Sequence, residues 1–466
     1  MPSTSIAGRL RRRLATTALP AAFACLVALE AVATPRVFPT GVTLYDPARA
    51  YNSYIAFGTP DGVSRLIDMN GNEVHQWPYI GFPTEVLDPA VTQGALGHVL
   101  VQLSNGSGPW GGIFDNRTVA ELDWEGRIVW TWGEQAPGGA ARQNHDWYRL
   151  PNGNTLILGT QIHKVPQLAD KEIGDQVIYE VDSAGKIVWS WLSSEHLDEF
   201  GFSADGLQYL RGLLARQASG DGTILTLNNM HLLGKNRWYD AGDQRFAPDN
   251  IIIDSREGNF VAIIEKATGK IVWRLGPYYP DTGQVPHGRL LNASLPRPVD
   301  QLIGQHDAHL IPEGLPGAGH LLVFDNQGGA GLPSAAVGIF AGSRVLEIDP
   351  VSQQIVWQYT GADSNRPVWS FHSSFISSAR RLPNGNTLID EGMNGRLFQI
   401  TPDGDIVWEY VSPHFAQAAL HGQTLYTNWV YRAQLVPYDW VPPGTPHSEQ
   451  PVAEPDITQF RVPASR

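Results

Sequence analysis

The chain has 466 residues, a formal net charge of −13, only 17% charged residues, and 48 Gly and 34 Pro. The acidic balance argues against nucleic acid as a partner, and the Gly and Pro content argues against long helices, so an all-β fold is favoured. A chain of this length ordinarily has two or three domains, unless it is a closed repeat architecture.

The first 33 residues are predicted to be a secretory signal peptide. Four arginines precede an apolar run from Leu14 to Leu29, and residues 31–33 supply a small-residue cleavage pattern. Cleavage there removes four Arg and one Glu, lowers the formal charge to −16, and removes Cys25, the single cysteine. We therefore expect an exported protein, periplasmic or secreted, without stable membrane insertion. The consecutive arginines leave the Sec and twin-arginine routes both open.

Six copies of one β-hairpin then recur along the chain. Each has a strand, a polar turn that usually carries Gly, and a second strand that alternates toward a Trp. Their spacing is close to the ~50 residues of a propeller blade. We therefore predict an all-β fold, a six-bladed β-propeller with loop and helical insertions, over residues 34–440, with a C-terminal tail at 441–466. The tryptophans expected to pack between blades are Trp77, Trp130, Trp189, Trp273, Trp357 and Trp408.

A second hairpin lies upstream of several copies. The stretches at 149–158 and 381–390 share the turn Pro-Asn-Gly-Asn, and two hairpins per unit give the four strands of one blade. Residues 193–216 have helical spacing, and residues 278–300 form a second insertion. Residues 423–436 are strand-like and are expected to pair with the first blade and close the ring.

Two histidines occupy matched places in this repeat. The segments NHDWYRLP and QHDAHLIP each place a His-Asp pair at the same distance before a proline. Each segment should form the innermost strand of a blade, so His145 and His306 are expected to face the central channel. His231, in NNMHLLG, has the comparable place in blade four, which predicts three imidazoles around one axial cavity. Strand alternation puts His309 on the face opposite His306, and we interpret His309 as structural.

Three further polar residues accompany these strands. Asp146 and Asp307 directly follow the matched histidines and are expected to hold neighbouring backbone or side chains. Arg256 follows the apolar strand IIID, at the end where blade four should meet the channel mouth. A guanidinium there could donate to an oxyanion. The sequence has no Walker loop, no Gly-x-Ser-x-Gly elbow and no His-Glu-x-x-His motif.

From about residue 40 to residue 413, the chain resembles the exported aryl-sulfate sulfotransferases of bacteria. The segments that carry the resemblance are, in order, PTGVTLYDP, HDWYRLPNGN, NIIIDSR, GQHDAHLIP, LLVFDN and RLPNGNTLIDEG. The resemblance implies transfer of a sulfuryl group from a phenolic sulfate ester to a phenol, without a nucleotide sulfate donor, a metal or another cofactor. It also implies that His306 attacks sulfur and carries a transient sulfohistidine. His145, His231 and Arg256 would then contact the sulfuryl oxygens or the phenolic oxygen.

Two other classes of function remain open at the level of sequence. A non-catalytic propeller could bind glycans or proteins on one face, which would make the matched histidines incidental. A metal hydrolase or lyase could instead use the inward histidines as ligands. The sequence specifies neither the physiological donor and acceptor nor the oligomeric state.

Overall fold

A computed structural model describes residues 39–103, 116–220, 224–277, 302–332, 342–420 and 423–455, without the side chains of 418–420 and 423–425. The predicted signal peptide and the insertion at 278–300 lie outside the described residues. No helix within the described ranges has the length and apolar character needed to cross a membrane.

Short antiparallel strands make up most of the regular secondary structure in the described chain. Several middle strands of the sheets are buried along their whole length, whereas some of the outermost strands alternate between more and less exposed residues, as expected where only one face of a strand packs on a neighbouring sheet. In chain order the strands are β1 (Gly41–Tyr45), β2 (Tyr54–Thr59), β3 (Val63–Ile67), β4 (Glu73–Trp77), β5 (Glu85–Val86), β6 (Val99–Gln102), β7 (Val119–Leu122), β8 (Ile128–Trp132), β9 (Gln143–Arg149), β10 (Thr155–Lys164), β11 (Glu172–Val181), β12 (Ile187–Leu192), β13 (Leu227–Leu232), β14 (Ile251–Ser255), β15 (Phe260–Ile264), β16 (Ile271–Leu275), β17 (His306–Leu310), β18 (Leu321–Asp325), β19 (Arg344–Asp349), β20 (Gln354–Tyr359), β21 (Ser378–Arg381), β22 (Thr387–Glu391), β23 (Arg396–Ile400), β24 (Ile406–Val411), β25 (Ala416–Leu420), β26 (Gln423–Thr427) and β27 (Ala433–Val436).

Six of the sheets are the blades of a β-propeller, as the repeat predicts. From the centre outward, blade one is β27-β2-β3-β4, blade two β5-β6-β7-β8, blade three β9 to β12, blade four β13 to β16, blade five β17 to β20, and blade six β21 to β24 with β1 added outside. The inner strands of neighbouring blades contact one another around the channel, including β9 with β13 and β13 with β17. The functional side chains predicted on β9, β13 and β17 therefore lie on adjacent inner strands.

The ring is closed by both ends of the chain. Strand β27 pairs with β2 over Tyr54 to Phe57, which confirms the predicted closure for the last part of 423–436. The earlier part, β26, instead forms a separate hairpin with β25. Strand β1 pairs with β24 on the outside of blade six, a second closure that the repeat pattern did not indicate. Val452, in the predicted tail, pairs with Tyr45 of β1.

The turn before each outer strand has a common construction. In blade three, the Asp182 carboxylate accepts hydrogen bonds from the backbone N–H groups of Ala184 and Lys186 at 3.0 and 2.9 Å. Gly185 in this turn has φ +82°, the left-handed conformation that Gly adopts without a Cβ clash. In blade five Gln353 takes the same kind of conformation, with φ +58°. The polar Gly-bearing turn that recurs in the sequence thus sets the hairpin geometry.

Each blade donates one indole N–H to a carbonyl in the hairpin turn of the next blade, so six tryptophans bridge the ring. The repeated tryptophans make the bridge in four blades, whereas in blades two and three Trp132 and Trp191 make it, and Trp130 and Trp189 pack on the apolar cores shared with the next blade. Trp130 and Trp189 stay partly exposed, because the bridge is made one full pleat further along the strand. The bridges are Trp77 to Asp123 (3.1 Å), Trp132 to Gly185 (3.1 Å), Trp191 to Gly269 (2.8 Å), Trp273 to Pro350 (2.7 Å), Trp357 to Pro402 (3.3 Å) and Trp408 to Met69 (2.8 Å).

The predicted helical insertion contains the longest helix in the described residues. Helix α1 (Ala204–Arg216) is capped by Ser203, whose side chain accepts from the Gly206 N–H, and it buries Leu210 and Leu214. These leucines join the apolar core shared by blades three and four. The other helices are α2 (Arg237–Asp240) and single turns of 3₁₀ helix at Ser193–His196, Gln244–Phe246, Gly361–Ser364, Val368–Ser370 and Gly392–Asn394.

Candidate active site

His145, His306 and Arg256 line one cavity at an end of the central channel. Its volume is about 230 Å³. His145 comes from β9 and His306 from β17, while Arg256 directly follows β14. Three of the four sequence-predicted site residues are thus brought together around one space. The lining residues are His145, Thr226, Asn228, Arg256, Glu257, His306, Phe375 and Ile376.

The two histidine strands are bulged where they meet the cavity. On β17, His306 lies opposite Phe324 and His309 opposite Leu322, so the inner strand contains one extra residue between these pairs. Asp307 takes up the bulge with φ +59°, and on β9 His145 itself has φ +65°. Such backbone is uncommon for residues other than Gly and, like bulges, is concentrated near functional sites.

The bulge overturns the argument from strand alternation. Phe324 and Leu322 are two residues apart and share a face of β18, so their partners His306 and His309 also share a face. His309 is buried, and its Nδ1 lies 2.8 Å from the Asp307 carbonyl oxygen. A one-residue insertion in a strand leaves no clear mark in sequence, which is why the alternation argument failed here.

Hydrogen bonds fix the tautomer of His306. Its Nδ1 lies 2.7 Å from Asn326 Oδ1 and 3.2 Å from the Gly304 carbonyl oxygen. The Asn326 amide orientation is itself determined, because its Nδ2 donates to the carbonyls of Ser373 and Ile376 at 2.7 and 2.8 Å. Both neighbours of Nδ1 are therefore acceptors, so Nδ1 carries the proton and Nε2 carries the lone pair. Asn326 belongs to the segment LLVFDN, but the sequence did not indicate that it would bind His306.

Both cavity histidines are neutral. Burial lowers the pKa of His306 to about 3, with Arg256 adding to the effect and the bond to Asn326 opposing it. Burial likewise lowers the pKa of His145 to about 3, with further contributions from His306, Arg432 and Arg256. Within the described residues, Nδ1 of His145 is buried without a hydrogen-bond partner. A neutral imidazole with an unused nitrogen is suited to contact a ligand in the cavity.

Arg256 contributes positive charge to this cavity. Its backbone N–H donates to Asn228 Oδ1 at 2.8 Å, which anchors the residue at the end of β14. The guanidinium lies close enough to lower the pKa of both His145 and His306. The site can therefore offer a nucleophilic nitrogen and a fixed cation to the same small anion.

Aromatic rings stand beside these polar groups. Phe82 and Tyr431 stack with centroids 4.0 Å apart, and each lies 5.5 Å from the His145 ring. Phe375 lines the cavity and packs edge-to-face on Trp429 at 4.8 Å. These rings come from the loops before β5, β21 and β27, which the histidine pattern did not identify. They provide flat apolar surface suited to an aromatic ligand.

His231 does not line this cavity. Arg380 donates to His231 Nε2 at 3.0 Å and to Asp307 at 2.6 Å, and the His231 ring lies 5.8 Å from that of His309. Because arginine is always a donor, His231 Nε2 accepts from Arg380; burial and Arg380 lower the pKa of His231, although the Asp307 carboxylate, 3.5 Å from the same nitrogen, opposes this. The residue of the inner strand β13 that lines the cavity is Asn228. The expected convergence of three imidazoles is therefore wrong for His231, because position along the inner strand, and not blade number alone, sets the depth in the channel.

Arg432 joins the strands that carry the two cavity histidines. It is 1% exposed, and its guanidinium lies 3.1 Å from Asp146 and 3.3 Å from Asp307. These carboxylates also accept backbone N–H groups of the next blade, from Met230 at 2.9 Å and from Ala379 at 3.3 Å. The two aspartates thus hold neighbouring backbone and side chains, as their positions suggested. Arg432 has no counterpart in the repeat, so the sequence offered no signal for it.

Comparison with known proteins bears on the family. The arylsulfotransferase (ASST) family profile matches residues 90–406, and no curated protein matches the chain significantly. Among solved structures, a Bacteroides caccae protein of unknown function is 12% identical with TM-score 0.42, covering 82% of this chain and 98% of its own. Virginiamycin B lyase from Staphylococcus aureus is 11% identical with TM-score 0.37, covering 86% and 97% respectively. Kuenenia stuttgartiensis hydrazine synthase is 10% identical with TM-score 0.39, covering 80% and 94%.

The family match spans β6 through β23 and so includes His145, Arg256 and His306, the three predicted site residues that line the cavity. It covers well over half of the chain. The protein belongs to the arylsulfotransferase family.

Proposed function

We propose that the protein moves a sulfuryl group from a phenolic sulfate ester to a phenol, through a covalent intermediate on Nε2 of His306. The observation that carries the proposal is the fixed tautomer of His306, which keeps its Nε2 lone pair available in a cavity shared with Arg256. Family membership supports sulfotransferase chemistry in general. The nucleophile, the intermediate and the absence of a nucleotide donor are our proposals.

In the first half-reaction, Nε2 of His306 attacks sulfur and the bond from sulfur to the aryl oxygen breaks. The electron pair of that bond leaves with the phenolate, while the Nδ1 proton stays on the hydrogen bond to Asn326. Arg256 stabilises the negative charge on the sulfuryl oxygens. In the second half-reaction, the acceptor phenol loses its proton, its oxygen attacks sulfur, and the bond between nitrogen and sulfur breaks.

His145 is proposed to carry the proton between these steps. An aryl sulfate anion in the cavity raises the pKa of His145 from its low value, because negative charge nearby favours the imidazolium form. The imidazolium then protonates the leaving phenolate, and the neutral ring later removes the proton from the acceptor. General acid–base assistance of this kind typically contributes about 10²–10⁴-fold. His231 is proposed to act only through Asp307 and Arg380, as a positioning residue.

Steady-state kinetics with 4-nitrophenyl sulfate as donor and phenol as acceptor test this function. Without added nucleotide, we expect release of 4-nitrophenolate that depends on phenol, with parallel double-reciprocal lines because donor and acceptor react in separate half-reactions. His309→Asn is the matched control for His306→Asn, since both histidines are buried on β17. Intersecting lines, or no release of 4-nitrophenolate, would contradict the proposal.

A further inference from the structure

A second cavity adjoins the candidate active site and is walled by helix α1. It has a volume of about 290 Å³ and shares Arg256 and Glu257 with the first cavity. The helix contributes Tyr209 and Leu213, among others, and the opposite side is formed by the loop at 329–332. The helical insertion singled out in the sequence thus extends the walls of the site.

The second cavity lies close to the residues that hold His306. The Gly304 carbonyl oxygen lies 3.2 Å from His306 Nδ1. On the other side, a Cβ placed on Gly304 would lie 3.3 Å from the Ala330 Cβ and 3.5 Å from the Arg256 Cγ. Ala330 and Arg256 both line the second cavity. This cavity therefore lies next to Gly304, whose carbonyl oxygen is one of the two acceptors beside Nδ1 of His306.

The second cavity has an apolar floor and a polar rim. Leu210, Leu214 and Ile224 are at most 2% exposed and belong to the core between blades three and four. Gln217 and Glu257 are exposed at the edge. A pocket of this kind accepts an aromatic ring and tolerates a polar substituent at the far end of that ring.

The size of the first cavity indicates what enters the second. Ligand pockets commonly enclose roughly 300–1,000 Å³, and the first cavity alone, at about 230 Å³, falls below that range. One aromatic ring with its sulfuryl group would occupy it. A second ring attached to the first would need additional space, and the cavity beside α1, which shares Arg256 and Glu257 with the first, provides it.

We infer that the cavity between α1 and residues 329–332 is a subsite for the distal ring of a two-ring phenolic substrate. This inference rests on the proposed function, because it takes the reacting oxygen to lie beside His306. The rings beside His145 hold the reacting ring, and Leu213 and Tyr209 contact the second one. The α1 insertion then determines preference for extended over simple phenols.

The test compares 4-phenylphenol with phenol as acceptors, at fixed 4-nitrophenyl sulfate. Leu213→Trp fills the subsite and should lower the ratio of kcat/KM for 4-phenylphenol over that for phenol by roughly 10-fold or more. Tyr209→Ala removes part of the wall at a position that is 37% exposed, and it should lower the same ratio less. Arg211→Ala is the matched control, because Arg211 lies on the same helix, lines a different cleft and should leave the ratio unchanged.

A direct binding measurement separates failure of the subsite from failure of the proposed function. Equilibrium dialysis of 4-phenylphenol against wild type and the folded Leu213→Trp variant should show binding weakened by roughly 10-fold, whether or not transfer occurs. If wild type transfers sulfuryl groups to phenol but the ratio and the binding are unaffected by both variants, the subsite is refuted and the function stands. If the wild type transfers a sulfuryl group to neither phenol nor 4-phenylphenol, the proposed function fails. Unchanged binding of 4-phenylphenol by Leu213→Trp would in that case refute the subsite as well.

Discussion

The central channel contains two groups of histidine and arginine side chains that differ in how their hydrogen-bonding capacity is used. Around the cavity, Nδ1 of His306 is bonded while its Nε2 is left as the acceptor, and Nδ1 of His145 has no partner within the described residues. Around Asp307, the charges satisfy one another: Arg380 lies 2.6 Å and Arg432 3.3 Å from its carboxylate. Although burial opposes it, these arginines hold the pKa of Asp307 below its ordinary value.

The comparison teaches that residue type and inner-strand location do not by themselves identify a catalytic group. His231 and His306 lie on adjacent inner strands, and desolvation lowers the pKa of both imidazoles. They differ in that His231 Nε2 is engaged by Arg380, whereas the bonds to His306 leave its Nε2 available. Cavity variants should therefore reduce the rate, and variants of the ion network should mainly reduce stability.

The largest effect on rate is expected for His306→Asn. Removing the nucleophile should lower kcat by at least about 10³-fold, since no other described imidazole has both a fixed tautomer and access to Arg256. The thermal midpoint should change little. Retained turnover of 4-nitrophenyl sulfate by the folded variant would remove His306 from the mechanism.

Arg432→Met should affect the other region most. It leaves the buried carboxylates of Asp146 and Asp307 without their shared cation, which typically costs about 3–5 kcal/mol of unfolding free energy. Urea unfolding followed by tryptophan fluorescence measures this loss, and Arg49→Met, at an exposed ion pair, is the control. Equal stability of the two variants would show that Arg432 does not hold the inner strands together.

Arg256→Ala should lower kcat by about 10²–10³-fold, because it removes the donor to the charge that develops on the sulfuryl oxygens. The apparent affinity for the donor should fall less than kcat, if the contact tightens in the transition state. Arg256→Lys should recover part of the rate. An alanine variant with the wild-type rate would assign Arg256 to a purely structural role.

Asn326→Leu should reduce kcat by about 10- to 100-fold, the range found when partners that orient a functional imidazole are removed. The acceptor that fixes the His306 tautomer is then missing, and only the Gly304 carbonyl oxygen remains. Asn326→Asp keeps the acceptor but loses the Nδ2 donor to the carbonyls of Ser373 and Ile376, so a higher rate than that of Asn326→Leu would assign the effect to the acceptor and not to the donor. Rates and donor KM values of both variants decide between these readings.

The smallest effect on rate is expected for His231→Asn, within about 10-fold of wild type, because His231 lies outside the cavity lining. A loss as large as that of His306→Asn would instead place His231 among the reacting groups and undo the distinction between the two regions.

Much of the fold followed from sequence, because a repeated hairpin determines its own partners. The Gly-bearing turns, the two Pro-Asn-Gly-Asn hairpins and closure by β27 were all readable. The sequence did not identify which tryptophans make the bridges in blades two and three. Trp130 and Trp132 point to the same face of one strand, and the pattern does not indicate which of them reaches the next blade.

The sequence predicted the site residues that occupy the same position relative to a proline in two blades. It did not predict the residues that come together only when the propeller closes. His145 and His306 share a position relative to a proline, and the structure places both at the cavity. Asn326, Arg432 and the aromatic pair Phe82 and Tyr431 come from unmatched positions, and only the closed propeller brings them near the histidines. The bulge at Asp307 also had no sequence signature.

The most direct test of the central claim is to map the covalent intermediate. Wild-type protein is mixed with 4-nitrophenyl sulfate without acceptor, digested under mildly alkaline conditions that preserve the bond between nitrogen and sulfur, and analysed by peptide mass spectrometry. We predict a gain of one sulfuryl group on the peptide that contains His306, localised to that residue and absent from His306→Asn. A sulfuryl group on another residue, or none while 4-nitrophenolate is released in stoichiometric amount, would contradict the account.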